Sequence, residues 1–422
     1  MPGTMCVLPW LQMIVRADGQ VQVCNRMSGF VENERRPVNV STASPTDIWN
    51  ARGLVEMRHR MLTGERVDAC SECYLLEERG AESLRLEMLR RWEAGFLNEG
   101  RHTLEVFMAE RRPTATDGPR WIQGDLGNRC NLACRMCNSG ASSKILHDPV
   151  HGRWSGPALD ATRQTDAWYG DPVLLAGLLT SAPDLRQLHI IGGEPTLMTE
   201  IDEVLDLVVQ TGRAPQIELS FHTNASRPSA PWFKWFAHFR AVVAYISVDG
   251  AEEDYEYIRY PAKWPRFTKN LEQLLTVEGL EVRAHVVVQA YNVLRIGRLL
   301  AFLEQHGVRV DIHLLAEPAY LDVQVLPPSA RRLARERIAT YADVTADADL
   351  RGKLLGICEY LSAEHVQSPE VAMFMTFTND IDASRRQNIR ISNPELVAAY
   401  DADGMPWQTT YRHADRPKGD GG

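Results

Sequence analysis

Three cysteines lie close together near the middle of the chain, in the stretch "RCNLACRMC". The spacing of Cys130, Cys134 and Cys137 is C-x3-C-x2-C, and no fourth cysteine lies nearby in the sequence. Structural zinc sites are closed by four protein ligands. Three thiolates therefore favour a metal centre that keeps one coordination position open for another molecule, with a structural zinc knuckle as the alternative.

A second group of cysteines lies in the first hundred residues: Cys6, Cys24, Cys70 and Cys73. Apolar and polar residues alternate on both sides of Asp18-Gly19, which predicts a β-hairpin between the first two of these cysteines. Short predicted helices then lead to the C-x2-C pair. Four thiolates in two pairs can hold one metal centre, and zinc fits them on geometry alone.

The composition limits the class of protein. Of 422 residues, 44% are hydrophobic and 24% are charged, which suits a globular protein with a large core. The net charge is −9 without a basic block, so neither nucleic acid nor an anionic membrane is favoured as a partner. The sequence shows no run of about 18 apolar residues and no signal-peptide pattern. We therefore expect a cytoplasmic protein, in which clustered cysteines more often bind metal than form disulfides.

Strand-like runs alternate with helical segments in the central part of the chain. The runs are "WIQGD", "LRQLHII", "QIELSFHT", "AVVAYIS", "LEVRAHVVVQA" and "VRVDIHLLA". This alternation predicts an α/β fold with a parallel sheet, open or curled into a barrel. Ligands of such sheets bind at the carboxyl ends of the strands. We expect the polar residues at these ends to converge on one face of the molecule: Cys130, Glu194, Asn224 and Asp249.

The cysteine motif after the first strand and the Gly-Gly-Glu-Pro turn after the second resemble the radical S-adenosylmethionine (SAM) superfamily. This resemblance implies a partial (β/α)6 barrel over residues 118–330. It also implies that the three central cysteines hold a 4Fe–4S cluster whose open iron binds SAM. In that family, reductive cleavage of SAM yields a 5′-deoxyadenosyl radical, which abstracts hydrogen from the substrate. A reductant such as flavodoxin or ferredoxin is implied as a partner.

The resemblance also implies further SAM contacts. The turn would bind the SAM amino group, with Glu194 accepting a hydrogen bond from the ammonium. The ends of the third and fourth strands would contact the methionine carboxylate and the ribose, while Met136 replaces the aromatic residue that usually lies beside the adenine. The expected SAM-binding residues are Met136, Gly192, Gly193, Glu194, Pro195, Asn224, Ser247 and Asp249. The alternative is that the polar residues at the strand ends only form turns.

Residues 1–95 resemble the twitch, or half-SPASM, auxiliary domain of radical SAM enzymes. The shared features are Gly19-x4-Cys24, an "IW" helix and the later C-x2-C pair. The resemblance implies a second 4Fe–4S cluster, held by Cys6, Cys24, Cys70 and Cys73. Relatives usually carry this domain after the barrel, whereas here it precedes it. Structural zinc and the absence of a metal remain alternatives.

Polar residues within the predicted strands favour a polar substrate, either a peptide or an aminated small molecule. These residues are His189, Ser220, His222, Tyr245, His285, Gln289 and His313. The predicted function is hydrogen abstraction from that substrate, with the auxiliary cluster in electron transfer or substrate binding. Alternatives are a radical epimerase with Cys358 as hydrogen donor, or a non-catalytic iron–sulfur scaffold or electron carrier. Residues 331–422 are expected to form a helical extension that ends in a disordered tail.

Overall fold

The structure is a computed structural model that describes residues 3–78, 83–97, 103–155, 168–315, 317–363 and 369–407. Its strands are β1 (Gln12–Val15), β2 (Val21–Gln22), β3 (Glu32–Asn33), β4 (Arg36–Pro37), β5 (Trp121–Asp125), β6 (Gln187–Ile191), β7 (Glu218–Thr223), β8 (Ala241–Ser247), β9 (Leu280–Val288) and β10 (Arg309–Leu314).

The first ten helices are α1 (Pro45–Trp49), α2 (Arg52–Thr63), α3 (Ser71–Glu78), α4 (Leu84–Glu93), α5 (Leu104–Glu110), α6 (Ser143–Leu146), α7 (Pro172–Thr180), α8 (Glu200–Gln210), α9 (Glu252–Ile258) and α10 (Trp264–Leu275). The remaining helices are α11 (Ile296–Gln305), α12 (Pro328–Val344), α13 (Ala348–Tyr360), α14 (Pro369–Arg385), α15 (Ile389–Ser392) and α16 (Pro394–Ala402).

One eight-stranded sheet organises the fold, in the order β10-β9-β8-β7-β6-β5-β1-β2. The six strands from β5 to β10 are parallel neighbours in chain order, and the sheet is open rather than a closed barrel. Helices lie between successive strands because each parallel connection must cross back over the sheet. The predicted α/β fold with six parallel strands is confirmed.

The two faces of this sheet differ in polarity. On β8, Val242, Ala244 and Ile246 are buried, whereas Tyr245 and Ser247 point to the opposite side and are partly exposed. Successive side chains of a strand point to opposite faces, so this alternation separates an apolar face from a polar one. The strand register places the polar side chains of neighbouring strands on the same side. We call this side the polar face; it carries Gln123, His189, Ser220, His222, Tyr245, His285, Asp311 and His313.

The N-terminal segment extends the central sheet. The predicted hairpin forms, with Val15 opposite Val21 in an antiparallel pair. β1 also pairs in parallel with β5, with Ile14 opposite Gln123, so the hairpin adds two strands to the sheet. Residues of both parts share one hydrophobic core, which explains why all four residues of β1 are buried. The boundary expected between residues 95 and 118 stays a prediction.

The C-terminal extension is helical, as predicted, and packs against the end of the sheet that carries β9 and β10. α12 to α16 contribute to a second core, in which Phe374 lies against Tyr291, Tyr400 and Trp407. The expected disordered tail, "HADRPKGDGG", lies outside the described residues. In the part of the chain that the structure describes, no helix has the length and hydrophobicity needed to cross a membrane.

Candidate functional site

The three central cysteines lie on a loop that leaves the carboxyl end of β5. The loop backbone is anchored by two hydrogen bonds to the segment after α9: the Ala133 amide donates to the Tyr260 carbonyl (2.7 Å), and the Arg135 amide donates to the Ile258 carbonyl (2.9 Å). The Ser142 hydroxyl donates to the Leu132 carbonyl at 2.6 Å. Hydrogen bonds of the backbone and of Ser142 thus fix the position of the loop.

The three thiols lie close enough to influence one another's ionisation. Burial raises the pKa of Cys130 to about 11, with a further contribution from Cys134. Burial likewise raises the pKa of Cys137 to about 12, with contributions from both other thiols. Thiolates at this position would repel one another, so a cationic centre that draws charge from all three stabilises their ionised form.

The sulfur atoms of both cysteine groups are spaced more widely than the ligands of a bound zinc ion. Zinc–sulfur bonds of about 2.3 Å in a tetrahedron place the sulfurs roughly 3.8 Å apart. Among the described residues, only His285, Asp311 and His313 form a group of three or more such side chains with ligand atoms within 4.8 Å of one another. In each of the two cysteine groups, at least one pair of sulfur atoms is therefore more than 4.8 Å apart.

The Gly-Gly-Glu-Pro turn packs directly on the start of the cysteine loop. The Gly193 amide donates to the Gly127 carbonyl (2.7 Å), and the Glu194 amide donates to the Arg129 carbonyl (2.8 Å). Gly192 has a φ of +136°, and a Cβ on Gly193 would lie 2.4 Å from the Arg129 carbonyl oxygen. Both glycines are thus required for the approach of the turn to the chain's own cysteine loop.

The Glu194 carboxylate links this turn to the end of β7. Its side chain is fully buried and accepts hydrogen bonds from the Thr196 amide (3.0 Å), the Thr196 hydroxyl (2.6 Å), the Thr223 hydroxyl (2.7 Å) and the Asn224 amide (2.6 Å). These four donors satisfy the carboxylate within the protein. In this structure Glu194 positions the turn through these bonds, and its expected contact with the SAM ammonium group stays a prediction.

Asn224 contacts the cysteine loop directly. Its Nδ2 donates to Asn131 Oδ1 at 3.0 Å and lies 3.8 Å from Cys130 Sγ. Its own Oδ1 accepts from the Ser226 amide at 2.9 Å. Asn224 therefore holds the carboxyl end of β7 against Cys130.

Asp249 acts on the second cysteine through an arginine. The buried Asp249 carboxylate accepts from the Val287 amide (2.9 Å) and forms an ion pair with Arg259 Nη2 (2.6 Å). Arg259 Nη1 lies 3.8 Å from Cys134 Sγ. Burial raises the pKa of Cys134, and the nearby guanidinium opposes that shift. Because no motif surrounds Arg259, the sequence offered no signal for its role.

The remaining predicted SAM-binding residues lie in the same region. Ser247 ends β8 on the polar face and is partly exposed, while Met136 is partly buried against the second core. Pro195 opens a short helical turn directly after Glu194. The structure thus brings the cysteine loop, the glycine turn and the ends of β7 and β8 together, as expected for carboxyl ends of parallel strands.

The four N-terminal cysteines also converge. Cys6, Cys24 and Cys73 are buried and Cys70 is partly exposed. Burial raises the pKa of Cys24 to about 11 and that of Cys70 to about 12, and the other thiols contribute to the raised pKa of Cys6. The backbone N–H groups of Arg26 and Met27 lower the pKa of the Cys24 thiol and so oppose the effect of burial. Amide donors around a thiol group are typical of iron–sulfur ligands.

The N-terminal cysteines lie beside the polar face. Asn25, the residue after Cys24, exchanges two amide hydrogen bonds with Gln123 on β5, at 3.2 and 3.3 Å. From there polar rings follow one another across the sheet: His189 to His222 (5.1 Å between ring centroids), His222 to His285 (4.9 Å) and His285 to His313 (4.9 Å). The expected polar lining forms one continuous face. Gln289, at the end of β9, is fully buried.

Cys358 lies in a different environment. Its thiol is on α13 and donates to the Arg335 carbonyl of α12 at 3.6 Å. Burial raises the pKa of this thiol. Its partner in the structure is thus the neighbouring helix.

Two family models match the chain. Residues 125–287 match the model described as the radical SAM superfamily. Residues 6–74 match the SPASM model, described as an iron–sulfur cluster-binding domain. No curated protein sequence matches the chain.

Solved structures show partial similarity to the chain. Native anSMEcpe with bound AdoMet and Cp18Cys peptide is 16% identical, with a TM-score of 0.39 over 55% of this chain and 60% of that one. Streptococcus suis SuiB bound to precursor peptide SuiA is 14% identical, with a TM-score of 0.37 over 73% of this chain and 66% of that one. The chain thus spans 60% of the length of the anSMEcpe structure that it matches.

The two family matches contain all seven clustered cysteines. The radical SAM match also contains the glycine turn and the ends of β7 and β8. These matches confirm 4Fe–4S clusters and SAM as the cofactors. The chain thus carries a radical SAM domain, matched over residues 125–287, and a SPASM-type iron–sulfur cluster-binding domain, matched over residues 6–74, on the N-terminal side of it.

Proposed function

We propose that the protein is an enzyme that cleaves SAM reductively and abstracts a hydrogen atom from a polar substrate. The observation that carries this proposal is the convergence of Cys130, the glycine turn and Asn224 at the edge of the polar face. When bound, the 4Fe–4S cluster and SAM supply an electron and a carbon-centred radical. All other contributions come from side chains and backbone groups of this chain.

We propose that the three thiolates of Cys130, Cys134 and Cys137 hold the cluster that binds SAM. The Arg259 guanidinium, 3.8 Å from Cys134 Sγ, stabilises negative charge on that sulfur. Asp249 holds this guanidinium in place and thus acts as a positioning residue. Glu194 has the same kind of role, because its carboxylate is satisfied by four internal donors.

SAM itself would contact the groups that remain accessible around the loop. We assign its ammonium group to the turn formed by Gly192, Gly193, Glu194 and Pro195, where carbonyl and carboxylate oxygens can accept hydrogen bonds from an ammonium group. Ser247 is the partly exposed hydroxyl at the end of β8 and suits the ribose. Asn224 and Met136, which flank the cysteine loop, complete the proposed site.

The auxiliary cluster is assigned to Cys6, Cys24, Cys70 and Cys73. Four thiolates ligate a cubane cluster fully, so this cluster would transfer electrons or contact substrate rather than bind SAM. The hydrogen bonds between Asn25 and Gln123 support a position of this cluster beside the polar face. Flavodoxin or ferredoxin is the proposed reductant.

The polar face favours a peptide or an aminated small molecule as substrate. Burial lowers the pKa of His189 to about 4 and of His222 to about 3, so both rings are neutral near pH 7. Neutral imidazoles donate and accept hydrogen bonds at once, which suits amide and amine groups. A cytoplasmic location and the absence of nucleic-acid or membrane partners stay predictions from composition.

The test is anaerobic reconstitution followed by an assay for 5′-deoxyadenosine. Two cubane clusters correspond to about eight irons per chain. The variant Cys130→Ala/Cys134→Ala/Cys137→Ala should retain about four irons and form no 5′-deoxyadenosine. SAM cleavage at an unchanged rate in this variant would refute the proposal.

A further inference from the structure

We propose that His285, Asp311 and His313 form a binding site for a divalent transition-metal ion on the polar face. The class of ion is that of zinc, which binds imidazole and carboxylate ligands. The site is separate from both cysteine groups. It lies at the edge of the sheet, where β9 and β10 pair.

The strand register brings the three side chains together. His285 is opposite Asp311 in the parallel pair, and His313 follows two residues later on the same face. The ligand atoms of all three residues lie within 4.8 Å of one another, and no other such group exists among the described residues. His313 Nε2 and Asp311 Oδ2 are 3.1 Å apart.

These distances suit a metal ion after small side-chain movements. Tetrahedral bonds of about 2.0–2.1 Å place nitrogen and oxygen ligands roughly 3.3–3.4 Å apart. The His313 Nε2–Asp311 Oδ2 pair, at 3.1 Å, is close to that distance, and small side-chain rotations can bring the remaining ligand atoms, which lie within 4.8 Å, into range. All three residues are partly exposed, so an ion can enter from the polar face. Three protein ligands leave a position open for water or another donor.

Lys353 supports the site from outside. Its Nζ lies 2.8 Å from Asp311 Oδ1, while the other oxygen of that carboxylate faces His313. Ligating carboxylates are usually held by such an outer hydrogen bond, which fixes their orientation. Lys353 Nζ also lies 3.1 Å from Asp349, which takes up part of its charge. The lysine therefore orients Asp311 and leaves one oxygen for the ion.

The site continues the row of rings on the polar face, since His285 lies 4.9 Å from His222 between ring centroids. The open coordination position would therefore face the substrate, and this role rests on the proposed function. Metal binding itself does not depend on SAM chemistry. A binding test without turnover thus separates failure of the metal site from failure of the proposed function.

The experiment measures zinc binding to the full chain with both clusters reconstituted and adventitious metal removed. Equilibrium dialysis with metal analysis should find one zinc per chain, with the iron content unchanged. His313→Ala and Asp311→Asn should each weaken zinc binding at least tenfold, since even outer-shell changes reduce metal affinity about 10–100-fold. His238→Ala changes an exposed histidine outside the site and should leave binding unchanged.

X-ray absorption at the zinc edge identifies the ligands. Nitrogen and oxygen scatterers with an imidazole pattern and no sulfur are expected. Zinc–sulfur scattering would assign the ion to the cysteines and overturn the proposal. Unchanged zinc affinity in both His313→Ala and Asp311→Asn, or no bound zinc at micromolar free concentration, would also overturn it.

Discussion

Arg135, within the cysteine loop, forms a buried ion pair with Asp382 on α14, with 2.5 Å between Nη2 and Oδ1. The guanidinium is fully buried, lies 3.6 Å from the centroid of the Tyr257 ring and donates to the Tyr257 carbonyl at 2.9 Å. Asp382 also accepts from the Tyr257 hydroxyl at 2.9 Å. The C-terminal extension thus holds the loop that carries the cluster ligands.

We expect Asp382→Ala to destabilise the protein and to loosen the cysteine loop. Removing one partner of a buried ion pair leaves an uncompensated charge, at a cost of about 3–5 kcal/mol. Anaerobic denaturation should show the loss of stability, and the iron content should fall below the wild-type value. Glu395→Ala is the control, because its ion pair with Arg337 is exposed and such pairs contribute about 0–1 kcal/mol. Equal effects of the two substitutions would contradict this prediction.

Gly193→Ala should impair SAM binding. The added Cβ would lie 2.4 Å from the Arg129 carbonyl oxygen, so the turn must move away from the cysteine loop. Calorimetric titration of the reconstituted protein with SAM should show at least a tenfold weaker affinity. Gly352→Ala on α13 meets no atom within 4 Å and serves as the control. If Gly193→Ala bound SAM with the wild-type affinity, the position of the turn would not determine SAM binding, and the prediction would be wrong.

Cys70→Ala/Cys73→Ala should separate the two clusters. The variant lacks two ligands of the auxiliary cluster and should contain about four irons instead of about eight. It should still form 5′-deoxyadenosine without substrate, because the three central thiols are unchanged. Folding must be checked by circular dichroism, since metal binding contributes to the stability of small modules. A folded variant with full iron content would exclude these cysteines as ligands.

Stability should fall as the pH decreases below about 6.5. Burial lowers the pKa of His189 to about 4 and of His222 to about 3, whereas an unfolded histidine titrates near 6.5. The unfolded state therefore binds protons at pH values at which the folded state does not. Each unit of pKa difference between the two states changes the free energy of unfolding by about 1.4 kcal/mol. The stabilisation that comes from keeping these rings neutral and buried is fully present above pH 6.5 and is lost as the pH falls toward 4.

Thermal unfolding between pH 7.5 and 5 measures this effect, with cluster absorbance recorded to show that the clusters remain bound. His222→Gln should flatten the pH profile, because one of the rings with a lowered pKa is removed. His238→Gln, at an exposed position, should leave the slope unchanged. If stability of the His222→Gln variant depended on pH as steeply as that of the wild type, the fold would not be what keeps the His222 ring neutral.

The sequence by itself determined the local features of this protein. Alternating patterns predicted the hairpin and the six parallel strands, because a half-buried strand repeats every two residues. The cysteine spacing and the glycine turn indicated the family, since both are short and contiguous. The position of polar residues at strand ends was sufficient to predict their convergence, which follows from parallel topology alone.

Only the tertiary structure decided which distant residues meet. Arg135 and Asp382 are 247 positions apart, and no periodic pattern encodes such a pair. The addition of β1 beside β5 also depends on packing, because an apolar strand pairs equally well in several sheets. The same holds for Glu194: its type suggested a ligand contact, but four internal donors surround it in the fold. His285 and Asp311 come together because two strands align in register, and register is set by burial of the whole sheet.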